Sequence, residues 1–174
     1  MNEEITIAKA TIEDIPAIVL LVNSAYRGDS SKKGWTTEAD LLDGVRVIPE
    51  TMLEQMNTHG QYFLKALDQN GIIIGCVSLL EKSKKVYLGM LTVDPNIQAA
   101  GIGKVLMNAS EDFARKLGKT NIEMTVISVR AELIAYYERR GYQLTGEKRP
   151  FPNDPKFGIQ KQPLEFVVME KYLV

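Results

Sequence analysis

The sequence predicts an α/β fold in which one mixed sheet of about seven strands is covered by helices. Three observations carry that reading. The predicted elements run strand, one or two helices, three strands, helix, strand, helix, two strands. Asp68-Gln69-Asn70-Gly71 separates two apolar runs rich in β-branched residues, a hairpin signal that makes two strands antiparallel. Ile102, Val105, Leu106, Ala109, Phe113 and Leu117 recur at helical spacing directly after a strand and a glycine turn.

Residues 5–9 alternate as a short strand. Thr11-Ile12-Glu13-Asp14 places a capping hydroxyl and acids before a helix through about Tyr26, with Ile15, Ile18, Val19 and Val22 on its apolar face. Residues 27–34 are polar and turn-rich and read as a loop, so the tripeptide Arg27-Gly28-Asp29 is loop chemistry. Thr37-Glu38-Ala39-Asp40 caps a short helix, and Pro49 opens a second through Asn57. Strands follow at 62–67, 72–80 and 86–93, the last closed by Asp94-Pro95-Asn96. The amphipathic helix ends on Arg115-Lys116 before Gly118, which suits the helix dipole and a left-handed cap. A strand at 122–129, a helix at 131–140 stopped by Gly141, and strands at 142–145 and 164–173 complete the order, leaving 146–163 as a long loop.

The 174 residues, 45% hydrophobic and 25% charged, suit one soluble domain spanning residues 1–174, which buries roughly 70% of its unfolded surface. With 21 basic against 22 acidic residues there is no global field for nucleic acid or an anionic membrane, so any anion site must be local. Cys76 and His59 are the sole residues of their types, which excludes a disulfide framework and argues against a clustered metal site. The start Met1-Asn2-Glu3-Glu4 lacks the basic and apolar regions of a signal peptide, and no apolar run approaches the ~18 residues of a membrane span. A cytoplasmic location is expected.

Strand, glycine turn and helix together form a phosphate cradle, because the first helical N–H groups are unpaired and point outward. The turn is Gln98-Ala99-Ala100-Gly101-Ile102-Gly103, followed by Lys104. A Walker A loop would need glycine at 98 and Ser or Thr at 105, where Gln98 and Val105 stand; a dinucleotide fingerprint from Gly101 would need glycine at 106, where Leu106 stands. What remains, Q-x-x-G-x-G after a strand ending Leu91-Thr92-Val93-Asp94-Pro95, resembles the GNAT superfamily of acyl-CoA-dependent N-acetyltransferases. A second stretch, Leu133-Ile134-Ala135-Tyr136-Tyr137-Glu138-Arg139-Arg140-Gly141-Tyr142, looks like that family's helix ending in an aromatic, charged residues, glycine and an aromatic.

The resemblance implies a mostly antiparallel sheet and acetyl-CoA as co-substrate. It also implies that the strand before the turn is splayed, with backbone groups of Leu91 and Val93 on the pantetheine arm and Thr92 between them. Gly89 is where a bulge would be tolerated. It further implies that Gln98 to Lys104 hold the pyrophosphate, and that Tyr137 is the general acid protonating the departing thiolate. Arg130 stands where many members have an asparagine on the cofactor arm, so it meets a phosphate or an acidic acceptor instead. Tyr136 is packing.

An acceptor amine with a pKa near ~10.4 is neutral about once in 2,500 molecules at pH 7, a handicap of roughly 4.6 kcal/mol, so a base or water chain helps. The strand at 86–93 contains no acid. Glu81 and Glu132 are candidate bases, each more simply an exposed or ion-paired carboxylate, His59 reads as a helix-end cation and Cys76 as core. By the same resemblance the acceptor, an amine-bearing small molecule or peptide, enters near the segment holding Trp35 and Glu38 and near Arg149. Acids at Glu38, Asp40 or Asp43 would suit a cationic amine, whereas Arg46 and Arg149 would suit a carboxylate or phosphate, and the residue types do not choose. A non-catalytic acyl-CoA sensor and a purely structural domain are the rival classes. Antiparallel edge strands offer a surface on which two protomers could pair as a homodimer.

Overall fold

The computed structural model describes residues 4–34, 36–97, 101–152, 154 and 158–173. Strand β1 (Thr6–Lys9) leads through a single 3-10 turn (Ile12–Asp14) into α1 (Ile15–Tyr26) and the four-residue α2 (Gly28–Ser31). Next come β2 (Leu42–Asp43), α3 (Pro49–Met56), β3 (Gln61–Leu67), β4 (Ile73–Glu81) and β5 (Lys85–Val93). The second half holds α4 (Ile102–Lys116), β6 (Asn121–Ile127), α5 (Ala131–Glu138), β7 (Gln143–Pro150), β8 (Ile159–Gln160) and β9 (Glu165–Tyr172). Among the described residues, seven strands form one sheet in the order β1-β3-β4-β5-β6-β9-β7, and β2 pairs with β8 apart from it. Every pairing is antiparallel except β5 with β6.

Each face of the sheet carries its own core. Ile15, Ile18 and Val22 of α1, with Met52 of α3, cover Phe63, Cys76 and Met90. On the other face Ile102, Leu106 and Met107 of α4, with Tyr137 and Tyr142 around α5, cover Val77, Leu88 and Met124. Helix α4 docks closely because β4 has no side chain at Gly75. A Cβ there would lie 2.8 Å from the Thr92 carbonyl and 2.9 Å from Leu106 Cδ1. The buried face of α4 is turned from the expected one: Met107, Ser110 and Glu111 are buried, whereas Val105, Ala109 and Phe113 lie at its margin. Glu111 is tolerated inside because Lys171 of β9 meets it at 2.8 Å.

Three local expectations are corrected. No helix follows Thr37: residues 39–41 form a turn, since Glu38 C=O accepts from both Leu41 and Leu42 N–H at 2.9 Å and Leu42 then pairs with Gln160. The stretch 27–34 includes α2, and Arg27 is buried, not displayed on a loop. The expected loop 146–163 carries the end of β7 and all of β8. Gly146 (φ 90°) breaks the register between Leu144 and Lys148, after which Arg149 pairs with Phe166 and Pro150 with Glu165. An edge strand wet on both faces shows no apolar alternation, so its sequence reads as loop.

Candidate active site

A slip of phase in β5 opens the site. Val86, Leu88, Leu91 and Val93 all join the α4-side core, although a strand alternates with period two and Leu88 and Leu91 are out of step. Met90 absorbs the odd residue: its φ of 52° is the positive value among described non-glycine residues, and its side chain crosses to the α1-side core. Gly89 pairs with Ser78 and Thr92 with Cys76, so Met90 and Leu91 face Val77 alone. This is a β-bulge, beside Gly89 rather than on it, and a left-handed residue with a side chain costs about 1–2 kcal/mol.

At the same place β5 parts from β6. Parallel pairing joins Lys85, Val86 and Tyr87 to Asn121, Ile122 and Glu123, then stops, while β6 continues to Ile127 on β9. Asp94 N–H donates to Ile74 C=O at 2.9 Å, and antiparallel alternation then turns the Thr92 backbone to β4 and those of Leu91 and Val93 to the open side. The Thr92 hydroxyl, fully buried, donates to Met90 C=O at 2.9 Å. Thr92 therefore faces away from the opening, and Leu91 and Val93 supply its edge. The Tyr26 hydroxyl reaches that edge from α1 and donates to Leu91 C=O at 2.5 Å. Burial pushes the Tyr26 pKa up to about 12 against a smaller opposing pull from Arg46, so the phenol remains a donor.

The resulting cleft encloses about 140 Å³. Its apolar walls are Met124 and Val126 of β6, Leu133 of α5, and Phe151 with Phe166, whose ring centroids lie 5.0 Å apart. Tyr137 also lines it. Gly141 (φ 94°) takes the left-handed turn that only glycine adopts readily, so Tyr142 N–H bonds back to Tyr137 C=O at 3.1 Å. Tyr142 is thereby tucked beneath, 6.0 Å from the Tyr137 ring edge-on, with Tyr136 5.5 Å away on another side. This packing holds the Tyr137 ring, whose hydroxyl has no hydrogen-bond partner among the described residues. Burial, then the neighbouring Tyr26, hold its pKa well above 10, with Arg130 pulling the other way.

The charged wall is built around Glu38. Arg27 donates to Glu38 Oε1 through Nε at 3.1 Å and Nη2 at 3.0 Å, and Arg130 Nη1 stands 3.9 Å from Oε2. Arg46 closes this side, its guanidinium 5.5 Å from the centre of the Tyr26 ring. Glu38 is the one carboxylate among the described lining residues, against three arginines.

Helix α4 begins nearby in the chain. Gly101 (φ 70°) is its N-cap, and Val105 N–H to Gly101 C=O at 3.0 Å starts its ladder, leaving the N–H groups of Ile102, Gly103 and Lys104 without helical partners. Such an end can hold phosphate. Gln98, Ala99 and Ala100 of that turn, and Trp35, lie outside the described residues. Arg149 is not brought to the cleft; it sits on β7, bonded to Glu123 Oε1 at 2.9 Å and Glu147 Oε2 at 2.8 Å. Glu81 pairs with Lys119 at 3.1 Å, Glu132 and His59 are exposed, and Cys76 is in the core, so none of them is a cleft base. Sequence reasoning missed Tyr26, Arg27 and Met90. The slip between Leu88 and Leu91 could have located Met90. No local signal marks Tyr26, whose bond spans 65 positions of chain.

A family model described as an acetyltransferase (GNAT) domain matches residues 39–154. The protein YdhI of Bacillus subtilis (strain 168), itself uncharacterized, is 30% identical over 88 residues, which is 51% of this chain and 52% of that one. The ribosomal-protein-S18-alanine N-acetyltransferase from Escherichia coli superposes with a TM-score of 0.72 at 18% identity, covering 98% of this chain and 94% of its own. A protein described as yncA from Salmonella typhimurium, solved with its cofactor acetyl-CoA, superposes with a TM-score of 0.69 at 22% identity over 98% and 94% of the two chains. Likeness at these identities bears on the fold. The chain spans about half or less of the length of the first curated relatives it matches.

Proposed function

The chain belongs to the acetyltransferase (GNAT) family, and from that premise we propose that it moves the acetyl group of acetyl-CoA to a primary amine of a small molecule or peptide, by direct attack in a ternary complex. Residues 1–174 would act as one such domain. The observation that carries the reading is one cleft lined both by Tyr137 and by the edge of β5 opened at Met90, where pairing with β6 has stopped.

The turn from Gln98 to Gly103, with Lys104, would take the pyrophosphate on the first N–H groups of α4. Leu91 and Val93 would align the pantetheine arm as an added strand. The Leu91 carbonyl is already engaged by Tyr26, so the Leu91 N–H and the Val93 backbone are the groups left to do so. Arg130, held by Glu38, faces the place where donor arm and acceptor meet. The amine nitrogen attacks the thioester carbon, and an N–H donor on the β5 edge stabilises the developing oxyanion, an effect worth roughly 3 kcal/mol. The C–S bond then breaks, Tyr137 gives its proton to the sulfur, and the proton shed by the ammonium returns through water to the Tyr137 phenolate.

A phenol above 10 is uphill from a thiol near ~8.5 by about 2 kcal/mol or more in water. Burial narrows that gap, because the apolar cleft raises the basicity of a departing thiolate as it does that of a phenolate. The test is Tyr137→Phe with thiol release as the readout. We expect kcat to fall by about 10²-fold or more while acetyl-CoA binding, followed by calorimetry, persists. Full turnover at neutral pH in that variant would remove the general-acid role.

A further inference from the structure

The acetyltransferase reading, on which this inference rests, leaves the acceptor open, and the charge of the cleft bears on it. Both oxygens of Glu38 are committed, Oε1 to Arg27 and Oε2 toward Arg130. Arg46 has no such partner: among the described residues no carboxylate makes an ion pair with it. Its backbone is nevertheless held in place. Asn23 of α1 accepts from Arg46 N–H at 2.7 Å and Val47 N–H at 3.0 Å, and donates to Val47 C=O at 2.9 Å. The guanidinium then lies over the Tyr26 ring, whose hydroxyl holds the Leu91 carbonyl. One tyrosine thus separates a guanidinium that has no carboxylate partner among the described residues from the strand edge assigned to the thioester.

We propose that the acceptor is a compact amine bearing a carboxylate, of the amino-acid type, and that Arg46 binds the carboxylate and so sets acceptor specificity. A guanidinium presents parallel N–H donors that match a planar carboxylate. Three arginines against one glutamate repel a polyamine and favour an anion. About 140 Å³ admits a group near the size of benzene, and Phe151, Phe166, Leu133 and Met124 give it an apolar bed. The same positive wall disfavours the ammonium form of the bound amine. That lowers the demand for a base, and among the described lining residues the one carboxylate, Glu38, is already held by arginines. Asp40 and Asp43, the other acids that sequence alone would have offered to a cation, are exposed and do not line the cleft.

The experiment measures thiol release from acetyl-CoA with the common amino acids, their carboxamides, the matching decarboxylated amines and spermidine, beside calorimetry with acetyl-CoA alone. At least one amino acid should exceed its carboxamide and its decarboxylated amine by 10-fold or more in kcat/KM. Arg46→Gln should raise KM for that amino acid about 10- to 100-fold with little change in kcat or in acetyl-CoA binding, collapsing the preference over the amide. Arg46→Lys should restore part of it, a result that mere repair of packing would not give. Carboxamides or spermidine matching the best amino acid, or Arg46→Gln weakening neutral and anionic acceptors alike, would overturn the proposal. Failure of acetyl-CoA to bind at all would sink the acetyltransferase reading itself.

Discussion

Tyr137 illustrates how a single side chain acquires its chemistry from burial. Its pKa is raised first by desolvation and next by the adjacent Tyr26, so it stays protonated through and beyond the neutral range. A general acid must be protonated to act, and a raised pKa extends that condition to higher pH. The profile of kcat/KM against pH should therefore rise as the acceptor amine deprotonates and show no falling limb below about pH 10. A descending limb near pH 8 or 9 that disappears in Tyr137→Phe would mean that the Tyr137 pKa is not raised, and one that persists in that variant would belong to another group. Cys76 is a second buried group with pKa raised, to about 12, mainly by desolvation, and it behaves as core, in line with its apolar surroundings in the sequence.

At the scale of elements, the site depends on the join between α4, β4 and β5. Gly75 lets α4 lie against the backbone of β5, and the absence of a side chain there is a requirement of space, not of backbone angle. Gly75→Ala would force Cβ against the Thr92 carbonyl and the tips of Leu106 and Ile102 at 3.0 Å or less. We expect a loss of about 1–3 kcal/mol in denaturant unfolding, with weaker acetyl-CoA binding as the N-terminus of α4 is pushed outward. The need for glycine was not legible locally, because the atoms it must avoid belong to two other elements. The cap at Gly141 was legible, since a left-handed glycine after a helix is a local feature.

Across the whole molecule, a buried carboxylate ties together the strands that frame the cleft. Glu123 on β6 is 1% exposed, and it accepts from Lys85 of β5 and from Arg149 of β7, with Lys82 3.8 Å away. Burial alone would raise its pKa, but the hydrogen bonds from Lys85 and Arg149 outweigh that and hold it below the ordinary 4.5. The folded state thus binds the proton less tightly than the unfolded chain. The resulting stability is present above pH 4.5 and is lost as pH falls through the folded value. Glu123→Gln should cost about 1–3 kcal/mol at pH 7, measured by thermal or denaturant unfolding, because three partly exposed cations can turn to water. The difference from the unaltered protein should shrink as pH falls through the folded value, below which both carry an uncharged side chain. A difference independent of pH would mean that packing, not charge, is what Glu123 supplies.

By itself the sequence determined the α/β class, the strand–turn–helix at Gln98 to Gly103, the helix ending that carries Tyr137, and the absence of an acid on β5. All of these rest on period, turn chemistry or residue type within a short window, which act before any long-range contact forms. Only the tertiary structure decided that Met90 bears the bulge, that Tyr26 grips Leu91, that Glu38 is claimed by Arg27 and Arg130, and that Arg149 serves Glu123 while Arg46 is left over in the cleft. A charge in a sequence has no partner until folding chooses one. In this chain that pairing is what turns an even balance of charge into a cleft with surplus positive charge.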